Sequence, residues 1–312
     1  MDLKNYKIVG GAMSWISDPT LVAAMANAGA LGVLATGAMD GPMLDLALKE
    51  IKQKTDRDFA VNLIGISPHY NELLKVCSDH KIKAIIIAAT IPRRDKIAQV
   101  KAIGAKVLAF ATSLKIAQDL IKNGIDAIIL EGNEAGGHVG MISTSILIQD
   151  ILFNLPDFPI FVAGGIGTPE MVKHCIAMGA TGCQLGTRFV CSKESPMHEK
   201  TKQFYISQQA RDTVVVGALN PIFSVIPVRV IKNKAVDDFY DRQRQAIKLL
   251  ENEEISLLDA QMMIEHFWSG SLRRGVIEGD LEYGSLMAGQ SISFVKGEET
   301  VHEIIDSMVS LI

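Results

Sequence analysis

Apolar residues in this chain cluster in short runs, separated by longer stretches where they recur every three or four positions. The runs span residues 8–13, 31–35, 59–64, 84–89, 106–111, 127–130, 159–163 and 183–189. An unbroken apolar run suits a strand covered on both faces; a half-solvated strand would alternate. The stretches at 18–28, 43–54, 69–79, 97–103, 114–123, 145–154 and 169–178 keep apolar residues to one face and read as amphipathic helices. Start signals precede several of them, namely Asp18-Pro19, Ser113 and Thr168-Pro169. Gly29, Gly104, Gly124 and Gly179 stand where helices should stop. Eight strand–helix repeats predict an α/β fold, the (β/α)8 TIM barrel. A doubly wound open sheet would carry GxGxxG after its first strand, and Gly10-Gly11-Ala12-Met13 does not supply it.

Beyond residue 189 the pattern changes. Residues 195–209, 236–251, 256–270 (closing on Trp268-Ser269-Gly270) and 300–311 read as helices, and 281–290 is glycine-rich. The expected organisation is a barrel over 1–190 and a helical extension or cap over 191–312 that returns to the barrel's site.

Composition narrows the class. With 48% hydrophobic and 21% charged residues the 312-residue chain can build a large core. A net charge of −4 argues against a nucleic-acid partner. Cys77, Cys175, Cys183 and Cys191 form no CxxC pair and no metal-ligand spacing, so reduced thiols and no metal are expected. There is no apolar signal core and no run long enough to span a membrane, which points to a cytoplasmic protein.

The candidate chemistry lies at the predicted strand exits, where barrels place their sites. After strand six comes Glu131-Gly132-Asn133-Glu134-Ala135-Gly136-Gly137-His138-Val139-Gly140. So little side-chain bulk lets backbone approach a flat ligand, and His138 is the one good proton-transfer group in it. Glu131 and Glu134 flank the histidine, and either could be structural. Strand seven exits through Ala163-Gly164-Gly165-Ile166-Gly167-Thr168 and strand eight through Gln184-Leu185-Gly186-Thr187-Arg188. Free backbone N–H groups at these two exits can hold a phosphate. Strand one ends in Gly11-Ala12-Met13-Ser14-Trp15, and strand three at Asn62, whose amide either meets a heterocycle or satisfies a loop. A phosphate site beside a small-residue floor fits flavin mononucleotide (FMN), with His138 managing one proton.

On these motifs the chain resembles the FMN-dependent nitronate monooxygenases (2-nitropropane dioxygenases) and their relative, enoyl-acyl-carrier-protein reductase II. Glu134-Ala135-Gly136-Gly137-His138, Ala163-Gly164-Gly165-Ile166 and Gln184-Leu185-Gly186-Thr187 carry the likeness, which runs over nearly the whole chain. It implies flavin contacts from Asn62, Glu131 and Gly136, a phosphate held by Gly164, Gly165, Gly186 and Thr187, and His138 as the catalytic histidine. Gly11, Ala12, Met13, Gly137, Ala163 and Gln184 complete the expected cofactor site. Met287, Ala288 and Gln290 join it from Gly284-Ser285-Leu286-Met287-Ala288-Gly289-Gln290, which is expected to cover the ring.

Glu131, where many nitronate monooxygenases have glutamine, favours the reductase branch, as do Phe59-Ala60-Val61-Asn62-Leu63 with Ser67-Pro68 and Arg229-Val230-Ile231-Lys232-Asn233. One departure stands out: the family's Pro-Ile-Ile-Gln is here Lys7-Ile8-Val9-Gly10, which lacks the amide. The implied activity is NADH- or NADPH-dependent reduction of enoyl thioesters in fatty acid biosynthesis. An acidic acyl carrier protein would then dock on a basic patch drawn from Lys193, Lys200, Lys202, Arg229, Lys232 and Lys234, whose alternative reading is a solvated helical face. A homodimer is an open expectation. The alternatives are nitronate oxidation by O2, reduction of a quinone, and a non-redox phosphate-ligand isomerase or binding barrel.

Overall fold

A computed structural model describes every residue except Ser224 and the side chains of Glu265, His266, Trp268 and Ser269. The Trp268-Ser269 pair is helical in backbone, but its side chains lie outside the described residues. The strands, in chain order, are β1 (Ile8–Gly10), β2 (Val33–Ala35), β3 (Ala60–Ile64), β4 (Ala84–Ala88), β5 (Lys106–Ala111), β6 (Ala127–Glu131), β7 (Gly137–His138), β8 (Ile160–Ala163), β9 (Gly182–Leu185), β10 (Thr213–Val216) and β11 (Val228–Ile231). Eight of them form one parallel sheet in the order β1-β9-β8-β6-β5-β4-β3-β2. The sheet's ends meet where Gly10 N–H donates to Leu31 O and Leu31 N–H to Ile8 O, each at 2.9 Å, bringing the barrel to closure.

Both faces of these strands are buried, which explains why their apolar residues do not alternate with polar ones. Val9, Leu31, Val33, Ala60, Ile86, Leu108, Ile129 and Phe161 fill the interior, with Leu3 from the N-terminal turn in the same cluster. The alternate residues, such as Val61, Ile85, Val107, Ile128 and Val162, pack beneath the helices.

The helices are α1 (Pro19–Asn27), α2 (Gly41–Lys54), α3 (Tyr70–Asp79), α4 (Arg94–Ala102), α5 (Leu114–Lys122), α6 (Thr144–Leu147), α7 (Pro169–Ala177), α8 (Glu199–Ser207), α9 (Lys234–Glu251), α10 (Leu257–Arg273) and α11 (Val301–Val309). The expected caps are present: Asp18, Ser113 and Thr168 accept from the N–H of Leu21, Ile116 and Met171. All four helix-end glycines have positive φ. The helix expected over 145–154 is instead one α-turn followed by a π-helical turn, Ile148–Leu152, where Phe153 N–H reaches back to Ile148 O at 3.2 Å.

Two features of the C-terminal part depart from a purely helical extension. First, β10 and β11 pair antiparallel, and β11 pairs with β7, making a three-stranded sheet. Thr213-Val214-Val215-Val216 and Val228-Arg229-Val230-Ile231 are β-branched runs that suit strands. With α9 and α10 they enclose a separate small core of Val216, Phe223, Val228, Val230, Phe239 and Ile264. Second, α11 packs against both α1 and α7, the place of a barrel's eighth helix, and Val301, Ile304, Ile305 and Met308 join the main core. The chain thus leaves the barrel after β9 and returns to complete it at its end. Among the described residues no helix is long and apolar enough to cross a membrane.

Candidate active site

The exits of the barrel strands enclose a cavity of about 530 Å³, within the ~300–1,000 Å³ usual for small-molecule sites. Gly11, Ala12, Met13, Asn62, Glu131, Gly136, Gly137, His138, Ala163, Gly164, Gly165, Gln184, Gly186, Thr187 and Met287 all line it. Two expected residues do not. Ala288 is buried behind Gly136, and Gln290 donates its N–H to Glu134 O at 2.8 Å. Their neighbour Ser291 reaches the cavity instead, as do Phe110, Thr112 and Tyr205, none of them an expected site residue. Inward alternation along β5 could have marked Phe110 and Thr112; nothing local to Tyr205 or Ser291 signals the site.

The floor is built by close backbone packing. A Cβ at Gly136 would lie 2.5 Å from Gly289 N and 2.9 Å from Ala288 Cα, so only glycine lets these two segments meet. The segment carrying Met287 is fixed by Ile231 N–H to Leu286 O (2.8 Å), Tyr205 O–H to Met287 O (3.0 Å) and Gly289 N–H to Thr187 Oγ1 (3.0 Å). Gly164 and Gly165 take φ of +93° and +75°, a left-handed pair that a side chain would strain. Among the described residues the N–H groups of Gly164, Gly165, Gly186 and Thr187 donate to no protein acceptor. These are the free donors a phosphate requires.

The histidine-bearing loop is held from outside. Arg229 Nε and Nη2 donate to Asn133 O at 3.0 and 2.8 Å, and its Nη1 to Thr213 Oγ1 at 3.1 Å. His138 stands opposite Val228 in the β7–β11 pair, a placement with no local sequence signal. Its side chain is accessible at the cavity mouth, and desolvation by the surrounding protein lowers its pKa from the ordinary value.

The two glutamates separate clearly. The Glu134 carboxylate accepts from Thr144 N–H at 3.0 Å and from the Thr144 hydroxyl at 2.8 Å, so it braces the start of α6. Glu131 faces the cavity with no described partner, and burial raises its carboxyl to about 8. Asn62 Nδ2 donates to the β4 carbonyl of Ile86 at 3.3 Å, and the residue also lines the cavity.

Cations stay out of the wall. Arg188 turns away to Phe294 O and Glu299, each at 2.9 Å. Two members of the expected basic patch are buried: Arg229 as above, and Lys202, whose Nζ donates to Ser192 O at 2.8 Å. Lys193, Lys200, Lys232 and Lys234 are exposed. The glycine that replaces the family's glutamine lies off the cavity: a Cβ at Gly10 would sit 2.5 Å from Met25 Sδ, on the side of α1.

The nitronate monooxygenase family model matches residues 2–73 and 64–310. Among curated proteins the chain is 28% identical to (3aS,4S,5R,7aS)-5-hydroxy-7a-methyl-1-oxo-octahydro-1H-indene-4-carboxyl-CoA dehydrogenase of Rhodococcus jostii, over 98% of this chain and 92% of that one. It is 27% identical to a nitronate monooxygenase of Paraburkholderia phytofirmans, over 68% of this chain and 71% of the other. Among solved structures FabK from Thermotoga maritima superposes with a TM-score of 0.86 and 35% identity, covering 98% and 92% of the two chains. The barrel, its glycine-lined cavity and these matches lead to one assignment: the chain belongs to the nitronate monooxygenase family and is an oxidoreductase of that flavin-dependent family.

Proposed function

We propose that this protein binds FMN and reduces enoyl thioesters with NADH or NADPH, in the manner of an enoyl-acyl-carrier-protein reductase II. The observation that carries the cofactor is the set of free N–H donors at Gly164, Gly165, Gly186 and Thr187, on the rim of a cavity floored by Gly136 and Gly137. Those donors would hold the phosphate, and Asn62, Glu131, Gln184 and Met287 would face the ring. FMN supplies hydride storage and transfer. The chain's own part is to exclude water and position the thioester.

It must also manage one proton, at His138. With its pKa lowered, the imidazole is neutral at pH 7 and offers one N–H donor and one acceptor nitrogen. The likeness to FabK over nearly the whole chain supports the reductase reading, and the carboxyl-CoA dehydrogenase relatives agree with a thioester substrate. The exposed Lys193, Lys200 and Lys232 are the members of the basic patch available to an acidic carrier protein, Lys234 being paired with Glu282.

The second reading, oxidation of an alkyl nitronate with O2, is supported by the family model and the named monooxygenases. Anaerobic mixing separates the two. Flavin that bleaches with NADH or NADPH and recolours on adding crotonyl thioester establishes the reductase. Flavin that ignores both nicotinamides and bleaches with an alkyl nitronate establishes the monooxygenase.

A further inference from the structure

Glu131 ends β6, and its side chain enters the cavity in one layer with Ala163 and Gln184, its register neighbours on β8 and β9. Among the described residues no hydrogen bond or ion pair reaches its carboxyl, whereas Glu134 a turn later is fully bonded. The groups around it offer no charge to pair with. Phe110 and Thr112 come from β5 and its exit, Ala163 from β8 and Gln184 from β9. Among the described residues the cavity's other titratable groups are His138 and Tyr205, whose hydroxyl already donates to Met287 O. No lysine or arginine among the described residues lines the wall. A carboxylate so placed has no protein group to hold its charge, so burial already favours the neutral acid, and a ligand that displaces water from the cavity favours it further.

We propose that Glu131 is held as a neutral carboxylic acid and serves the bound flavin as a hydrogen-bond donor, doing with its O–H what an amide N–H would do. The proposal rests on the FMN reading above. Burial, which raises the Glu131 carboxyl to about 8, agrees with it. Glutamine is the near-isostere of the neutral acid and keeps a donor at that end, whereas leucine keeps only the volume.

The protonation state is tested first in cofactor-free protein by infrared difference spectra of wild type against Glu131→Gln near neutral pH. The expected result is a protonated-carboxyl C=O band present only in wild type. A carboxylate signal in its place would overturn the proposal. Flavin binding then tests the donor role. Glu131→Gln should hold FMN within about 3-fold of wild type with an unchanged midpoint potential. Glu131→Leu should bind about 10-fold more weakly, the scale of one lost hydrogen bond, and shift the potential. Equal affinity and potential in the leucine variant would overturn the donor role. Wild type that binds no FMN would instead sink the cofactor reading, and with it the donor role, whatever the infrared shows of the proton.

Discussion

His138 and Glu131 share one cavity, and the surrounding protein moves both towards neutrality from opposite sides. Desolvation lowers the imidazole and raises the carboxyl, since in each case it penalises the charged form. His138→Gln should keep bound flavin and lose turnover by about 10²–10⁴-fold, the usual range for a positioned proton-transfer group. A yellow variant with full turnover would remove the histidine from the chemistry. The sign of the acid response follows from the same shift. Below pH 6.5 the unfolded histidine takes up a proton that the folded one refuses, so its contribution to stability is lost as pH falls through that value. Thermal melts from pH 7 to pH 5 should therefore show wild type losing ground relative to His138→Gln; parallel curves would contradict the lowered pKa.

At the level of elements, the histidine loop is shaped by parts of the chain far away in sequence. Arg229 on β11 clamps Asn133 O, and Gln290 N–H clamps Glu134 O. Replacing Arg229 by Met should destabilise the protein by about 1.5–3 kcal/mol, the cost of losing charged hydrogen bonds to a loop carbonyl. It should also speed hydrogen exchange in residues 132–140 more than in the barrel strands. Uniform protection across both would show that the clamp is not what holds the loop. The barrel strands and their helices were legible because burial on both faces leaves short apolar runs, and because Asp18-Pro19, Ser113 and Thr168-Pro169 are local caps. The strand at Gly137–His138 was not, because two residues carry no periodicity and the pairing partner lies at Val228.

For the molecule as a whole, the last helix is part of the barrel's ring. Because α11 sits between α7 and α1 and buries Val301, Ile304, Ile305 and Met308, a chain ending before residue 300 should fail to fold cooperatively. A sharp thermal transition in that truncation would show that the ring closes without it. The insertion between β9 and α11 carries its own small core and delivers Met287 to the cavity, so barrel and cap share the site.

The sequence by itself determined the eight-strand count and the glycine-rich exits, and it singled out His138 as the candidate for proton transfer. Each depends on local patterns: burial on two faces, small residues at turns, and a titratable group among glycines. Only the tertiary structure decided which glutamate is bonded and which faces the cavity, that Arg229 and Lys202 are buried, that Ser291 and not Gln290 reaches the site, and that the C-terminus completes the barrel. Those outcomes turn on which distant segments meet. Contacts between residues a hundred or more positions apart, such as Gly289 N–H with Thr187 Oγ1, leave no periodicity in either stretch for the sequence to display.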